Sequence, residues 1–466
     1  MSGSMTRREL LRWGAVGTGA MVLAACAPKA EPTAAPAPKE EAPAAPAAKE
    51  EAKPAAETIT LRFMTRQGDA GIHMREFGNR YAQESEGKIK VEFEEAPWGE
   101  TPKILETQLI SGTMVDATWG DTAWWPYMAK RGAYLVIEEF VAEAGMNMDD
   151  WFNVEWFRKW TDGKLSGLGG AAGINHILAF YNKDWVTEAW GKEPTDDWTM
   201  DDYVECMAAC VKMKGEGFFG GNAPIGGNHV CDGWIRNWGG FYINPEGTES
   251  LFAEAKCQDG IKFIREQLAN GNYPGREDRE EGETLMFFNQ KQAILISNPG
   301  ASQGMVKGAA DNGFELGVVL CPKGPSAFEN PPRRAFIPYA NTFGCYSKTK
   351  YPREAFGLIA RVTSVESMKW LCLTTGKQPG ALLDTWYEPE IVEKFPWFPK
   401  CADLMKECTD HFSMPGNTRY NEWKDVGDNE ISPLVFGEVE YNDANINQVN
   451  DHLQEVLDLP MPSSMG

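Results

Sequence analysis

Beyond residue 58 the chain alternates between two spacings of apolar side chains. Ile59–Phe63 and Ile89–Phe93 place apolar residues at every second position among β-formers, which predicts strands. Between them, His73–Ser85 carries Met74, Phe77 and Tyr81 at helical spacing. Arg66–Asp69 reads as the turn that links strand to helix. Pro102–Ile110 predicts a helix that ends at Gly112, Asp116–Trp119 a short strand, and Tyr127–Arg131 a helix stopped by Gly132. Such alternation predicts a largely parallel sheet flanked by helices. A second series follows, with strands over Ile174–Tyr181, Ala293–Ile296, Leu316–Leu320 and Thr342–Tyr346. Helices are expected over Gln258–Leu268, Arg353–Val362, Val365–Leu373 and Val449–Leu457. Thr199, followed by Asp201 and Asp202, marks the start of another. The 409 residues from Thr58 to Gly466 suit two lobes better than one small core.

The N-terminal pattern is of another kind. Trp13–Leu23 is a single apolar run, too short to cross a bilayer as a stable helix. Arg7 and Arg8 precede it and Leu23-Ala24-Ala25-Cys26 closes it. Residues 1–25 therefore read as a twin-arginine (Tat-type) export signal, and Cys26 as the lipidated first residue of a mature lipoprotein. Ala27–Glu57 is almost entirely Ala, Pro, Glu and Lys, without an aromatic residue. It cannot bury enough surface to offset its ordering entropy, so residues 26–57 are expected to form a disordered linker after the lipid. This address places the mature protein outside the cytoplasmic membrane, away from ATP and NAD.

Charge narrows the partners. The full chain has a net charge of −22, and the signal and linker contributions cancel, so the body carries all of it. That argues against nucleic acid and against electrostatic docking on anionic lipid. Nine cysteines follow Cys26. Export is compatible with disulfides, but an odd number leaves at least one thiol out. Cys206 and Cys210, four apart on a helical pattern, could supply half of a metal site; two small buried side chains explain them more simply. Five histidines form no HExxH and no cluster with cysteine, so no metal and no cofactor is expected. Trp119, Trp124 and Trp125, and again Trp234 and Trp238, lie beside Gly, Asp and Asn, which suggests loop tips. Flat rings next to short hydrogen-bonding side chains suit the apolar face and hydroxyl rim of a sugar. Each ring could equally be core.

Five motifs in order then carry a family resemblance. They are Ser111-Gly112-Thr113-Met114-Val115-Asp116, Lys130–Leu135, Phe180-Tyr181-Asn182-Lys183-Asp184 with Pro194-Thr195 and Trp198-Thr199, Phe287–Leu295, and Pro322-Lys323-Gly324-Pro325. Together they resemble the extracellular solute-binding proteins of family 1, the sugar-binding receptors of ABC importers that include the maltose-binding protein. Val115 and Gln290 depart from the pattern, which has Pro and Gly there. The resemblance implies an α/β periplasmic-binding-protein-like fold (type II): two lobes around a cleft, joined by hinge segments, closing on a solute. Lobe 1 would be 58–173 and 339–377, and lobe 2 177–338 and 378–466. The crossings would fall near Gly173–Ile177, Pro338–Phe343 and Gly376–Gly380. It also implies a carbohydrate ligand, permease partners, a monomer and no catalysis.

Open α/β sheets bind ligands at the carboxyl ends of their strands. That rule selects the loops Arg66–Asp69, Gly120–Trp125, Asn298–Ala301 and Tyr339–Asn341. The expected ligand-binding residues are Arg66, Gln67, Asp69, Trp119, Asp121 and Trp124, with Trp234, Trp238, Asn298, Tyr339, Asn341 and Arg419. Relatives often carry a sugar-stacking ring where this chain has Ser297–Ala301. A receptor for a polyamine or a phosphorylated polyol therefore stays open; a basic cleft would favour phosphate and an acidic one polyamine. An exported glycan hydrolase or lyase is the reading of another class. Gly300-Ala301-Ser302-Gln303-Gly304 has the GxSxG form, with His411 downstream. Ser302 comes six residues after Ile296, too late for a strand-to-helix elbow. Gly167–Gly173 is Gly-rich without the strand and helix of a nucleotide fingerprint, and reads as a turn towards the hinge.

Overall fold

Two sheets organise the protein. The computed structural model describes residues 58–223, 225, 231–325, 333–408 and 419–460, apart from the side chains of Asp69, Ala70, Tyr420 and Asn421. The export signal, Cys26 and the linker lie outside these residues. Residues 56–466 form one compact unit. The strands are β1 (Ile59–Arg66), β2 (Ile89–Ala96), β3 (Ala117–Asp121), β4 (Leu168–Ile174), β5 (Leu178–Asn182), β6 (Ile294–Ser297), β7 (Leu316–Leu320) and β8 (Pro338–Cys345). The first sheet has the order β2-β1-β3-β8-β4 and the second β6-β5-β7.

Only part of the first sheet is parallel. β2 and β3 flank β1 in parallel, whereas β8 runs antiparallel to both β3 and β4. In the second sheet β5 is antiparallel to both neighbours. The expectation of a largely parallel sheet thus holds for the first three strands alone. β8 enters from the other lobe and so arrives in the opposite sense.

Local chemistry explains most element limits. The helix Asp69–Glu84 buries Met74 and Phe77 against the sheet. Gly112, at φ 68°, ends the helix Thr101–Ser111 in the left-handed conformation that glycine adopts without steric cost. Thr199 and Asp202 form a reciprocal capping box at the head of the helix Met200–Lys214.

The expected strand over Ile174–Tyr181 is two strands, β4 and β5, joined by Asn175-His176-Ile177. The Gly-rich stretch is not a turn; it is most of β4, buried along its whole length. Its glycines admit close neighbours. A Cβ at Gly170 would lie 2.3 Å from the Phe343 ring, and one at Gly169 2.5 Å from the Ala381 Cβ.

Three chain segments cross side by side. Asn175 donates its backbone N–H to the Ile337 carbonyl at 2.9 Å, and Ala381 donates to Gly170 at 2.7 Å. Residues 338–343 belong to β8, so the second crossing lies just before Pro338. After Gln378 the chain serves both lobes. Trp386 Nε1 donates to the Gly380 carbonyl beside β4 at 2.9 Å. The final helix, Asp443–Asp458, reaches back to the other lobe, where Ser250 N donates to Gln454 Oε1 at 2.8 Å.

All nine cysteines of the body are free thiols; eight are buried and Cys408 is half-buried. Among the described residues no three metal-binding side chains converge, and no helix is long and apolar enough to cross a membrane.

Candidate functional site

The site begins with strand direction. β1 and β3 end at Arg66 and Asp121 on one edge of the first sheet. Because β8 is antiparallel to β3, its first residues come to the same edge, with Asn341 opposite Asp121 and Tyr339 opposite Gly173 of β4. Two-residue periodicity turns Tyr339 and Asn341 to one face. The loop after β6, with Asn298 and Gly300, approaches from the second sheet. Lys377 and Gln378 arrive on the third crossing.

Between them lies a cavity of about 210 Å³. Lobe-one residues Arg66, His73, Asp121, Ala171, Tyr339 and Asn341 form one wall. Asn298, Gly300, Leu371, Lys377 and Gln378 complete it. The wall is dense with amide, phenol, imidazole and guanidinium groups that can bond a hydroxyl-rich solute. A Cβ at Gly300 would stand 2.1 Å from Gln378 Oε1, so only glycine lets the second lobe approach the crossing this closely. A hollow of about 780 Å³ around Gly112, Arg131 and Lys348 lies at the opposite end of β3 and β8, away from the edge where the lobes meet.

Electrostatics distinguishes the charged members. Asp121 accepts from the Ala123 N–H at 3.0 Å and from Trp98 Nε1 at 3.3 Å. Desolvation pushes its carboxyl above the ordinary range; those two donors and the nearby Arg66 pull it back only in part. Burial likewise pushes the Tyr339 phenol up, so it is a neutral hydroxyl. Arg66 sits over the Trp119 ring at 5.7 Å.

Of the twelve expected ligand residues, the cavity brings together Arg66, Asp121, Asn298, Tyr339 and Asn341. Gln67 is exposed just beyond β1, and Asp69 opens the first helix. The loop-tip placement of the tryptophans does not hold. Trp119, Trp124 and Trp234 are at most 2 % exposed. Trp119 and Trp124 pack edge-on at 5.7 Å beneath the cavity wall, covered by Arg66 and Trp98. Trp238 is half-buried and packs on Phe263 at 4.6 Å, away from the cavity lining. Arg419 is held by Glu422 and by the Pro460 carbonyl, and its charge acts on Tyr127 of the first lobe.

Residues that sequence reasoning missed are His73, Lys377, Gln378 and, beside Asp121, Trp98. Trp98 had a signal: it stands two residues past the true end of β2, where the strand-end rule applies. The GxSxG serine is wholly buried and accepts from Trp397 Nε1 at 3.0 Å, which gives it a structural use. His411 lies outside the described residues.

Residues 77–382 match the family described as bacterial extracellular solute-binding protein. The chain belongs to this family. Its members bind solutes and do not catalyse reactions. Among curated proteins no sequence matches.

Solved structures agree on the fold of this solute-binding protein, an α/β type II periplasmic-binding architecture. The sugar-binding protein MalE from Xanthomonas citri superposes with a TM-score of 0.72 at 18 % identity, over 85 % of this chain and 97 % of that one. The cyclic α-maltosyl-1,6-maltose binding protein from Arthrobacter globiformis gives 0.69 at 16 % identity, over 86 % and 99 %. An ABC substrate-binding protein from Listeria monocytogenes, in complex with cycloalternan, gives 0.67 at 16 % identity, over 86 % and 99 %.

Proposed function

We propose that this protein is the lipid-anchored carbohydrate receptor of an ABC importer. The observation that carries the reading is the cavity between the two sheets, walled by hydrogen-bonding side chains from both. A sugar held there by Asn298 and Gln378 on one side and by Arg66, Tyr339 and Asn341 on the other gains most when the lobes close. The closed body would then present the sugar to the membrane permease as a monomer. The similar structures named above include proteins that bind sugars, which supports the same ligand class. Tat export and acylation of Cys26 keep the body at the membrane surface, and the Ala/Pro-rich linker lets it reach the permease.

A thermal-shift screen of the full-length protein over a carbohydrate panel tests the ligand class. At about 100 times its Kd a true ligand adds about 2.7 kcal/mol to stability. A flat response to every sugar, with a clear response to a polyamine, would move the reading to the polyamine receptor. Mass spectrometry of membrane-extracted protein tests the anchor: an unmodified Cys26 still joined to Ala25 excludes it.

A further inference from the structure

The cavity holds two cations that the protein itself leaves unpaired. Arg66 makes no hydrogen bond from its guanidinium and no ion pair with any described residue; its contacts are the Trp119 ring and the field of Asp121. Its neighbours behave differently. Arg62 pairs with Glu94, and Arg75 with Glu95 at 3.1 Å. Lys377, on the third crossing, is also without a carboxylate among the described residues, whereas Lys369 of the preceding helix pairs with Glu388 and Glu390. In a chain with 67 acidic and 45 basic residues, carboxylates are abundant. Arg66 thereby departs from Arg131, Arg353 and Arg361, each of which meets a carboxylate, while Lys377 shares its state with exposed lysines such as Lys103.

The cavity's one described carboxylate does not fill that role. Asp121 spends its oxygens on the Ala123 N–H and the Trp98 indole, and it lies beyond ion-pair distance of Arg66. Arg66 therefore retains the donor fork that matches a carboxylate or a phosphate, and Lys377 retains its donors at the third crossing. His73 adds an imidazole to the same wall. An anion placed between Arg66 and Lys377 would be bound by the end of β1 and by the third crossing together.

We propose that the ligand is a saccharide carrying an anionic substituent, a carboxylate as in a uronic acid or a phosphate ester, held between Arg66 and Lys377. The proposal rests on the carbohydrate reading of this cavity and specifies its ligand. Asn298, Asn341, Tyr339 and Gln378 then bond the sugar hydroxyls.

The test compares matched probes on the full-length protein by calorimetry: glucose, glucuronate, glucose 6-phosphate, acetate and inorganic phosphate. Glucuronate or glucose 6-phosphate should bind at least tenfold tighter than glucose, and the stronger of the two identifies the substituent. Its affinity should fall as salt is raised. Arg66→Gln and Lys377→Gln should each weaken that probe about tenfold to a hundredfold and leave the unfolding midpoint in place. Equal binding of glucose and the anionic sugars, unchanged in Arg66→Gln, overturns the anionic ligand and leaves the sugar receptor standing. Binding of acetate or inorganic phosphate as tight as that of the sugars overturns the carbohydrate reading instead. Failure of all three sugars while neutral oligosaccharides from the wider panel bind overturns the anionic ligand alone.

Discussion

Two neighbouring layers of the first lobe, the cavity wall and the tryptophan layer beneath it, are built from the same strand. Trp119 and Asp121 stand two residues apart on β3, yet one is wholly buried and the other lines the cavity. The tryptophan layer is closed by rings: Trp125 stacks on Tyr134 at 3.8 Å and meets Phe157 edge-on at 5.2 Å. The wall is open and polar, and its groups hold few bonds with one another. The layers divide the work. Rings pack beneath the strand ends, and the polar side chains at those ends line the cavity.

That division can be broken most sharply at Trp125. Trp125→Ala should cost about 3–5 kcal/mol, because the ring is fully buried and its removal leaves a void between Tyr134 and Phe157. Urea unfolding would show a lower midpoint, with ligand affinity per folded molecule unchanged. An unshifted midpoint would mean that the layer is not a stabilising core.

Gly300→Ala probes the wall from the other lobe. The added methyl would meet Gln378 Oε1, so that side chain must swing or the lobes must part. The expected cost is about 1–3 kcal/mol, felt in the closed form and read as weaker binding with near-normal unfolding. Wild-type affinity would show that the loop after β6 and the third crossing separate freely.

Asp121→Asn should have the smallest effect, and it depends on pH. The folded carboxyl titrates above its unfolded value of about 3.9, so the folded state holds the proton more tightly. Stability from this group is present below that pH and is lost as pH rises through the folded pKa. The Asn variant should therefore be the more stable form at pH 7, with the advantage shrinking towards pH 4. Thermal midpoints across that range decide it; a constant difference would mean that the carboxyl is not desolvated.

Legibility followed how local each feature is. Arg66, Asp121 and Asn298 could be placed because strand ends show in the alternation of Ile59–Phe63, Asp116–Trp119 and Ala293–Ile296. Trp98 was missed because Glu94 and Glu95 hide the last residues of β2. Lys377 and Gln378 carry no periodic signal: they enter the cavity through the path of a crossing. β4 was missed for a related reason. Leu168–Ile174 has almost no strand propensity, and it pairs because Phe343 and Ala381 need the space its glycines leave.

By itself the sequence determined the α/β class and most element starts, since these depend on neighbours within a few residues. It also determined which polar side chains stand at strand ends. Tertiary structure decided the rest. The direction of β8 brings Asn341 beside Asp121, and glycines at 120, 167 and 344 make room for rings that composition suggested were exposed. Whether a tryptophan is core or surface, and whether an arginine finds a carboxylate, depends on what lies across a gap in space. Residues far apart in the chain fill that gap, so no local pattern records the outcome.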